Sequence, residues 1–292
     1  MIYFVLLIPP ILYALSNLID KHLVHGDEDE SSAEMLVFIG AVFNLLIAGI
    51  FLIYFFATGT SFHLNIPLLL NGLIFTVAIW IYLKLLFYDD VERIAPWYQS
   101  IPIFGLIGGI FFLNEIPSLI QVFGIFAIVF GGLLLSIKKG RIDKKIIFGM
   151  LVSSLLITIN DVLLAYFGRD LTVGDALFSD VMGKVIFGGL CILFPFVYKN
   201  AINAIKNKLA IQSVNEIIFI VADLVLDYGK LILPVVLVQV TASTQPLFLL
   251  LGIFLVTKYK PDFLGQNDLQ TDLKKKVLGI IVVVVGGVLI FI

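Results

Sequence analysis

Gly124-Ile-Phe-Ala-Ile-Val-Phe-Gly-Gly-Leu-Leu-Leu-Ser-Ile137 is written a second time where the chain ends, as Gly279-Ile-Ile-Val-Val-Val-Val-Gly-Gly-Val-Leu-Ile-Phe-Ile292. At an offset of 155, Gly124, Ile125, Val129, Gly131, Gly132, Leu134 and Ile137 meet identical residues. An apolar helix of low complexity can match itself by chance, so the pattern has to continue elsewhere. It does. Pro102-Ile-Phe104 resembles Pro246-Leu-Phe248 at an offset of 144, and Asn17 meets Asn160 at 143. The jump to 155 is absorbed by the polar insert Lys258–Lys276. An ordered series of matches argues for a duplicated chain.

The solvent of this chain is lipid. Of its 292 residues 60% are hydrophobic and 14% charged, with mean hydropathy +1.10, against about 45–50% and about 25% in soluble domains. Apolar runs of about 20 residues, enough for a helix to cross the hydrocarbon core, recur along the whole length. The single cysteine, Cys191, lies in such a run and forms no internal disulfide. It reads as a buried structural residue. No zinc spacing, phosphate-binding glycine loop or nucleophile elbow is present, so no metal or other cofactor is expected. Nothing in the charge pattern points to nucleic acid.

The fold class expected is an all-α membrane protein of about ten spans in two inverted five-helix repeats, 1–140 and 141–292. The spans read as Ile2–Asp20, Met35–Ala57, Ile66–Tyr88, Val91–Leu113, Leu119–Ile137, Ile146–Phe167, Ala176–Tyr198, Ile217–Leu233, Val235–Thr257 and Val277–Ile292. Met1-Ile2-Tyr3 lacks a positive n-region, so the first span reads as a helix of the mature protein. His25–Ser32 reads as a solvated acidic loop. Leaving aside Lys84, Lys184 and Lys230 inside spans, odd-numbered loops hold 15 Lys and Arg, and even-numbered loops hold only Arg169. Basic residues concentrate on the cytoplasmic side, which puts both termini outside. Five spans per half is an odd number, so the second half enters the membrane upside down. The loops agree: Asn114–Ser118 holds no basic residue, and its counterpart in the second half holds five. Inverted repeats are a recurring transporter architecture with the binding site near the midplane.

The residues also resemble a known family. Asp90-Val-Glu-Arg-Ile-Ala-Pro-Trp-Tyr-Gln-Ser-Ile-Pro-Ile-Phe104, then Phe112-Leu-Asn-Glu115, then Gly124 with Gly131-Gly132, is similar to the EamA module of the drug/metabolite transporter (DMT) superfamily. Gln239-Val-Thr-Ala-Ser-Thr-Gln-Pro-Leu-Phe248 followed by Gly279 and Gly286-Gly287 is similar to it again. The second half departs where Glu115 would recur: Lys258-Tyr259-Lys260 stands there. The resemblance implies two EamA modules and a multi-pass carrier in the cytoplasmic membrane, as monomer or homodimer. It leaves the substrate open.

Charged side chains inside spans are the candidates for chemistry, because each costs about 2.5–3.5 kcal/mol at the bilayer centre on insertion scales and needs a partner or a wet cavity. Asp161 lies on span six, Asp180 and Lys184 on span seven, and Asp223, Asp227 and Lys230 on span eight. Helical spacing puts Asp180 with Lys184, and Asp223, Asp227 and Lys230 on one stripe. Either Asp180–Lys184 and Asp227–Lys230 are self-contained pairs, or these charges line one substrate or coupling-ion cavity. Asp223 and Asp161 stand out, since neither has a local partner; a lone buried carboxyl favours its protonated form, which makes a proton a candidate coupling ion. Tyr98, Gln99 and Gln245 are further candidates to face the cavity, and Lys84 reads as snorkelling to the surface. The glycine pairs Gly108-Gly109, Gly131-Gly132, Gly188-Gly189 and Gly286-Gly287 read as close helix contacts.

The function expected is secondary active transport of a small polar solute by alternating access, with lipid and substrate as partners and no enzymatic activity. An intramembrane enzyme with Asp161 and Asp223 as paired carboxylates, or a non-transporting scaffold, are the alternatives. The four aspartates exceed the two lysines, which suits an organic cation or a proton, while Lys184 and Lys230 offer sites for an anion.

Overall fold

Prolines, glycines and caps divide the apolar sequence into helices. The computed structural model describes residues 5–24, 32–89, 94–136, 143–259 and 273–291. Among these the helices are α1 (Ile8–Val24), α2 (Ser32–Thr58), α3 (Ile66–Leu86), α4 (Ile101–Leu113), α5 (Leu119–Ser136), α6 (Lys144–Gly168), α7 (Val173–Gly189), α8 (Pro195–Ile232), α9 (Val235–Ala242), α10 (Gln245–Tyr259) and α11 (Leu273–Phe291). Asn65, Asp143 and Thr172 cap α3, α6 and α7 by accepting from the backbone N–H of Leu68, Lys145 and Asp175. Asn114 ends α4 in the left-handed region at φ 55°. Five segments are long and apolar enough to cross a membrane: Ala33–Thr58, Ile66–Leu86, Lys144–Gly168, Val173–Leu193 and Val235–Val256. Shorter apolar helices accompany them, and residues such as Phe56, Phe111 and Leu119 turn outward. This is an all-α membrane protein.

Both fourth spans are broken. A 3-10 turn, Ala95–Ser100, leads into α4 between Pro96 and Pro102. The ninth span divides into α9 and α10, with Pro246 in the first turn of α10. In each case the proline removes a backbone donor that a continuous helix needs.

One expectation fails. The seventh span stops at Leu193 rather than Tyr198, and the basic stretch expected as the following loop is helical. Pro195 starts a new helix at its first turn. No Gly or Pro then interrupts the sequence before Gly229, so α8 continues for 38 residues. At 1.5 Å per residue that is about 57 Å, well beyond the ~30 Å hydrocarbon core.

Exchange each span with the one five places later and the packing repeats. α3 on α6 is matched by α8 on α1, α4 on α6 by α10 on α1, and α3 on α7 by α8 on α2. The pairs α2 with α7 and α5 with α11 map onto themselves. The α5–α11 seam is made of the repeated stretch. A β-carbon on Gly124 would lie 2.8 Å from the Gly286 carbonyl oxygen, and one on Gly131 would lie 2.9 Å from that of Gly279. As α5 advances α11 recedes, so the two counterparts run antiparallel. Gly287 and Gly189 meet nothing within 4 Å, so not every member of the glycine pairs serves a contact.

Candidate functional site

The six charges singled out in the sequence form one buried network. Lys184 Nζ lies 2.6 Å from Asp180 Oδ2, 2.5 Å from Asp223 Oδ2 and 3.3 Å from Asp227 Oδ2. Lys230 Nζ lies 2.6 Å from Asp161 Oδ1 and 2.7 Å from Asp227 Oδ1. Asp227 therefore bridges the two lysines, and three helices, α6, α7 and α8, are tied together. Neither local pair is self-contained. Asp223 and Asp161, which have no local partner in the sequence, each find a lysine on another helix: helical spacing shows neighbours on one helix and is blind to those that packing supplies. The two do not form a paired-carboxylate centre either. Asp223 is occupied by Lys184 and, at 3.3 Å, by the Tyr13 hydroxyl. Asp161 is occupied by Lys230 and by Gln239 Nε2 at 2.8 Å. If all six are ionised, four carboxylates and two ammonium groups leave two negative charges.

Groups that the sequence reading passed over complete the network. Asn71 Nδ2 on α3 donates to Asp180 Oδ1 at 3.2 Å and to the Asn160 carbonyl at 3.1 Å. Lys184 Nζ lies 4.3 Å from the centre of the Phe75 ring, within cation–π range.

A cavity of about 180 Å³ reaches the network between α1, α2, α3 and α8. Asp161, Lys184, Asp223 and Lys230 form its inner end, and Asp180 and Asp227 pair with those lysines. It extends along the second half of α1 to Asp20 and the start of α2 at Leu36, the end of the molecule that holds the α1–α2 connection. Tyr98, Gln99 and Gln245 line it, away from the ion network. Gln99 Nε2 donates to the Ser243 carbonyl at 3.0 Å, and the Tyr98 hydroxyl lies 3.4 Å from Ser153 Oγ. Gln99 and Ser243 are 144 apart, the offset that aligns Pro102 with Pro246 in the sequence. Lys84, in the last turn of α3, pairs with Glu34 in the first turn of α2, its ammonium 3.0 Å from Glu34 Oε1.

The opposite end is shut. Arg169, after α6, meets Glu115 Oε1 at 2.7 Å and donates to the carbonyls of Lys230 and Leu233. Glu115 Oε2 accepts from the Val235 N–H at 2.8 Å. This clasp joins the α4–α5, α6–α7 and α8–α9 connections. Below it α3 and α7 touch backbone to backbone, since a β-carbon on Gly72 would overlap the Gly183 backbone, and one on Gly183 would overlap the Leu69 carbonyl.

At the repeat offsets of 143 and 144, Gly183 corresponds to Gly40 and Gly72 to Glu216. The counterpart of the tight α3–α7 crossing is thus the α2–α8 crossing. There the atoms nearest to a β-carbon on Gly40 would be those of the Glu216 carboxylate, the first 3.1 Å away. The first crossing is closed backbone on backbone, and at the second Gly40 and Glu216 line the cavity, side chain against helix.

Residues 1–137 match the sequence profile of the EamA-like transporter family. That match spans the first five helices, α1 to α5. Seventeen chains of solved structures match significantly. One of them, titled "Crystal structure of protein", superposes on this chain with a TM-score of 0.66 and 13% identity, covering 99% of this chain and 94% of its own. That likeness is one of fold. A search of curated proteins gives no match. The EamA-like transporters are multi-pass membrane proteins of the drug/metabolite transporter superfamily, which agrees with the helices found here.

Proposed function

We propose that the protein is a secondary transporter of a small polar solute in the cytoplasmic membrane, built from inverted repeats 1–140 and 141–292 and working by alternating access. The observation that carries this reading is the unequal state of two equivalent crossings. α3–α7 is sealed at Gly72 and Gly183, and α2–α8 leaves a cavity that ends on a charged network. Closing the second crossing and opening the first would turn the same site to the other face, which is the motion inverted repeats permit. With the basic loops placed in the cytoplasm, the open cavity faces inward and the Arg169–Glu115 clasp seals the outside. The network, with its two surplus negative charges, is the binding and coupling site. Asp223 is the member that also meets α1, through the Tyr13 hydroxyl, and a proton is the coupling ion.

The test is uptake into liposomes holding the purified protein, with and without a proton gradient, over a panel of small metabolites. Gradient-driven uptake of at least one solute is expected, and Asp223→Asn is expected to keep solute exchange while losing the gradient's effect. No movement of any solute under either condition overturns the reading.

A further inference from the structure

The cavity contains a second set of polar groups that the charged network does not use. Asp20 on α1 and Glu216 on α8 both line it. Each carboxylate has one neutral partner: Asn215 Nδ2 donates to Asp20 Oδ1 at 2.6 Å, and Gln212 Nε2 donates to Glu216 Oε1 at 2.7 Å. Among the residues whose side chains are described, a set that leaves out Lys21, His22, Lys206 and Lys208, no lysine, arginine or histidine pairs with either. Beside them three amide atoms lack any partner: Asn17 Nδ2, Gln212 Oε1 and Asn215 Oδ1. Their residues line the cavity and are only 7%, 2% and 3% exposed. Turning an amide about its axis swaps its oxygen and nitrogen but does not remove the vacancy. Buried polar groups are ordinarily satisfied, so this end of the cavity is short of hydrogen-bonding partners, and short of positive charge.

We propose that Asp20 and Glu216 form a binding site for the ammonium group of an organic cation. This rests on the transport reading and narrows its substrate class. A primary ammonium offers three donors, and the site offers two carboxylates, each hydrogen-bonded to an amide whose oxygen has no partner. No third carboxylate, histidine or cysteine joins them among the described residues, which leaves the set short for a metal ion. Leu36, Ile79, Phe219 and Leu83 wall the same cavity and suit a hydrocarbon body. The position gives the cation a second task. Glu216 stands where the first half has Gly72, at the crossing that must close. Closing α2 on α8 removes water from two uncompensated carboxylates, a penalty that a bound opposite charge offsets. The cation therefore favours closure as well as being carried by it.

The experiment uses the purified full chain in detergent, titrated with butylammonium chloride, sodium chloride and 1-butanol, and followed by thermal unfolding. A ligand of the folded state raises the unfolding temperature. A saturable rise with butylammonium alone is expected. Asp20→Asn and Glu216→Gln are each expected to weaken its apparent affinity about tenfold, the scale of one lost charged hydrogen bond. Three results overturn the proposal: no rise in the wild-type protein, an equal rise with sodium, or an unchanged affinity in both single variants. The wild-type arms stand even where a variant fails to fold. Binding is read without a gradient, so the two readings fail separately. Binding without any transport sinks the transport reading alone, and transport without ammonium binding sinks this site alone.

Discussion

Lys184 touches three carboxylates and Lys230 two, so the lysines hold α6, α7 and α8 in one arrangement. Removing one partner of a buried ion pair costs about 3–5 kcal/mol, because the charge left behind has nothing to answer it. Lys184→Met leaves Asp180 and Asp223 without a cation and is expected to lose about that much stability. The double variant Lys184→Met with Asp180→Asn leaves one fewer stranded charge and is expected to unfold at a higher temperature than the single. Detergent-solubilised thermal unfolding of the three proteins checks the order, and a double variant weaker than the single contradicts it. The six charges were legible in the sequence because charge is rare inside apolar spans. Their pairing was not. Spacing along one helix links Asp180 to Lys184, but Asp223 reaches Lys184 only because the fold brings α8 beside α7. Asn71 and Glu216 were passed over for different reasons. Asn71 is a neutral residue in an apolar run, and Glu216 lay in a stretch read as a loop on the strength of its lysines. The missing signal was the uninterrupted run from Pro195 to Gly229 without glycine or proline.

Between helices, the comparison that matters is Gly183 with Gly40. The two are repeat counterparts in unlike surroundings. Gly183→Ala would drive a methyl group into the Leu69 carbonyl, which cannot move aside without moving α3. A fixed backbone makes this worse than ordinary overpacking, which costs about 1–3 kcal/mol. Gly40→Ala meets the end of a flexible glutamate at 3.1 Å. The first variant is expected to unfold at a markedly lower temperature than wild type and the second close to it. Equal losses would mean that the two crossings are equally tight. The sequence showed that the fourth span of each half carries proline, and the structure turns both into breaks. It did not show that α8 extends far beyond the span read from its apolar core.

For the molecule as a whole, orientation follows from the 15-to-1 distribution of basic residues among loops read from the sequence. A Cys191→Ala background with a single cysteine at Ser61 or at Gly140 tests it in intact cells. An impermeant thiol reagent added outside is expected to label position 61, on the exposed α2–α3 connection, and to spare position 140, which lies outside the described residues. The opposite labelling reverses the topology, and with it the side on which the cavity opens.

The α5–α11 seam restricts how this chain can change over generations. If the repeated stretch is the trace of a duplication, one copy would ordinarily be free to drift while the other keeps the original role. Here Gly124 meets Gly286 and Gly131 meets Gly279, so each crossing point takes one residue from either copy. Both copies keep the two glycines seven residues apart, close to two helical turns. One residue inserted between them in either copy would swing the later glycine through about 100° and leave its opposite number facing a side chain. The length of that interval is therefore inherited jointly. Neither stretch can alter it alone.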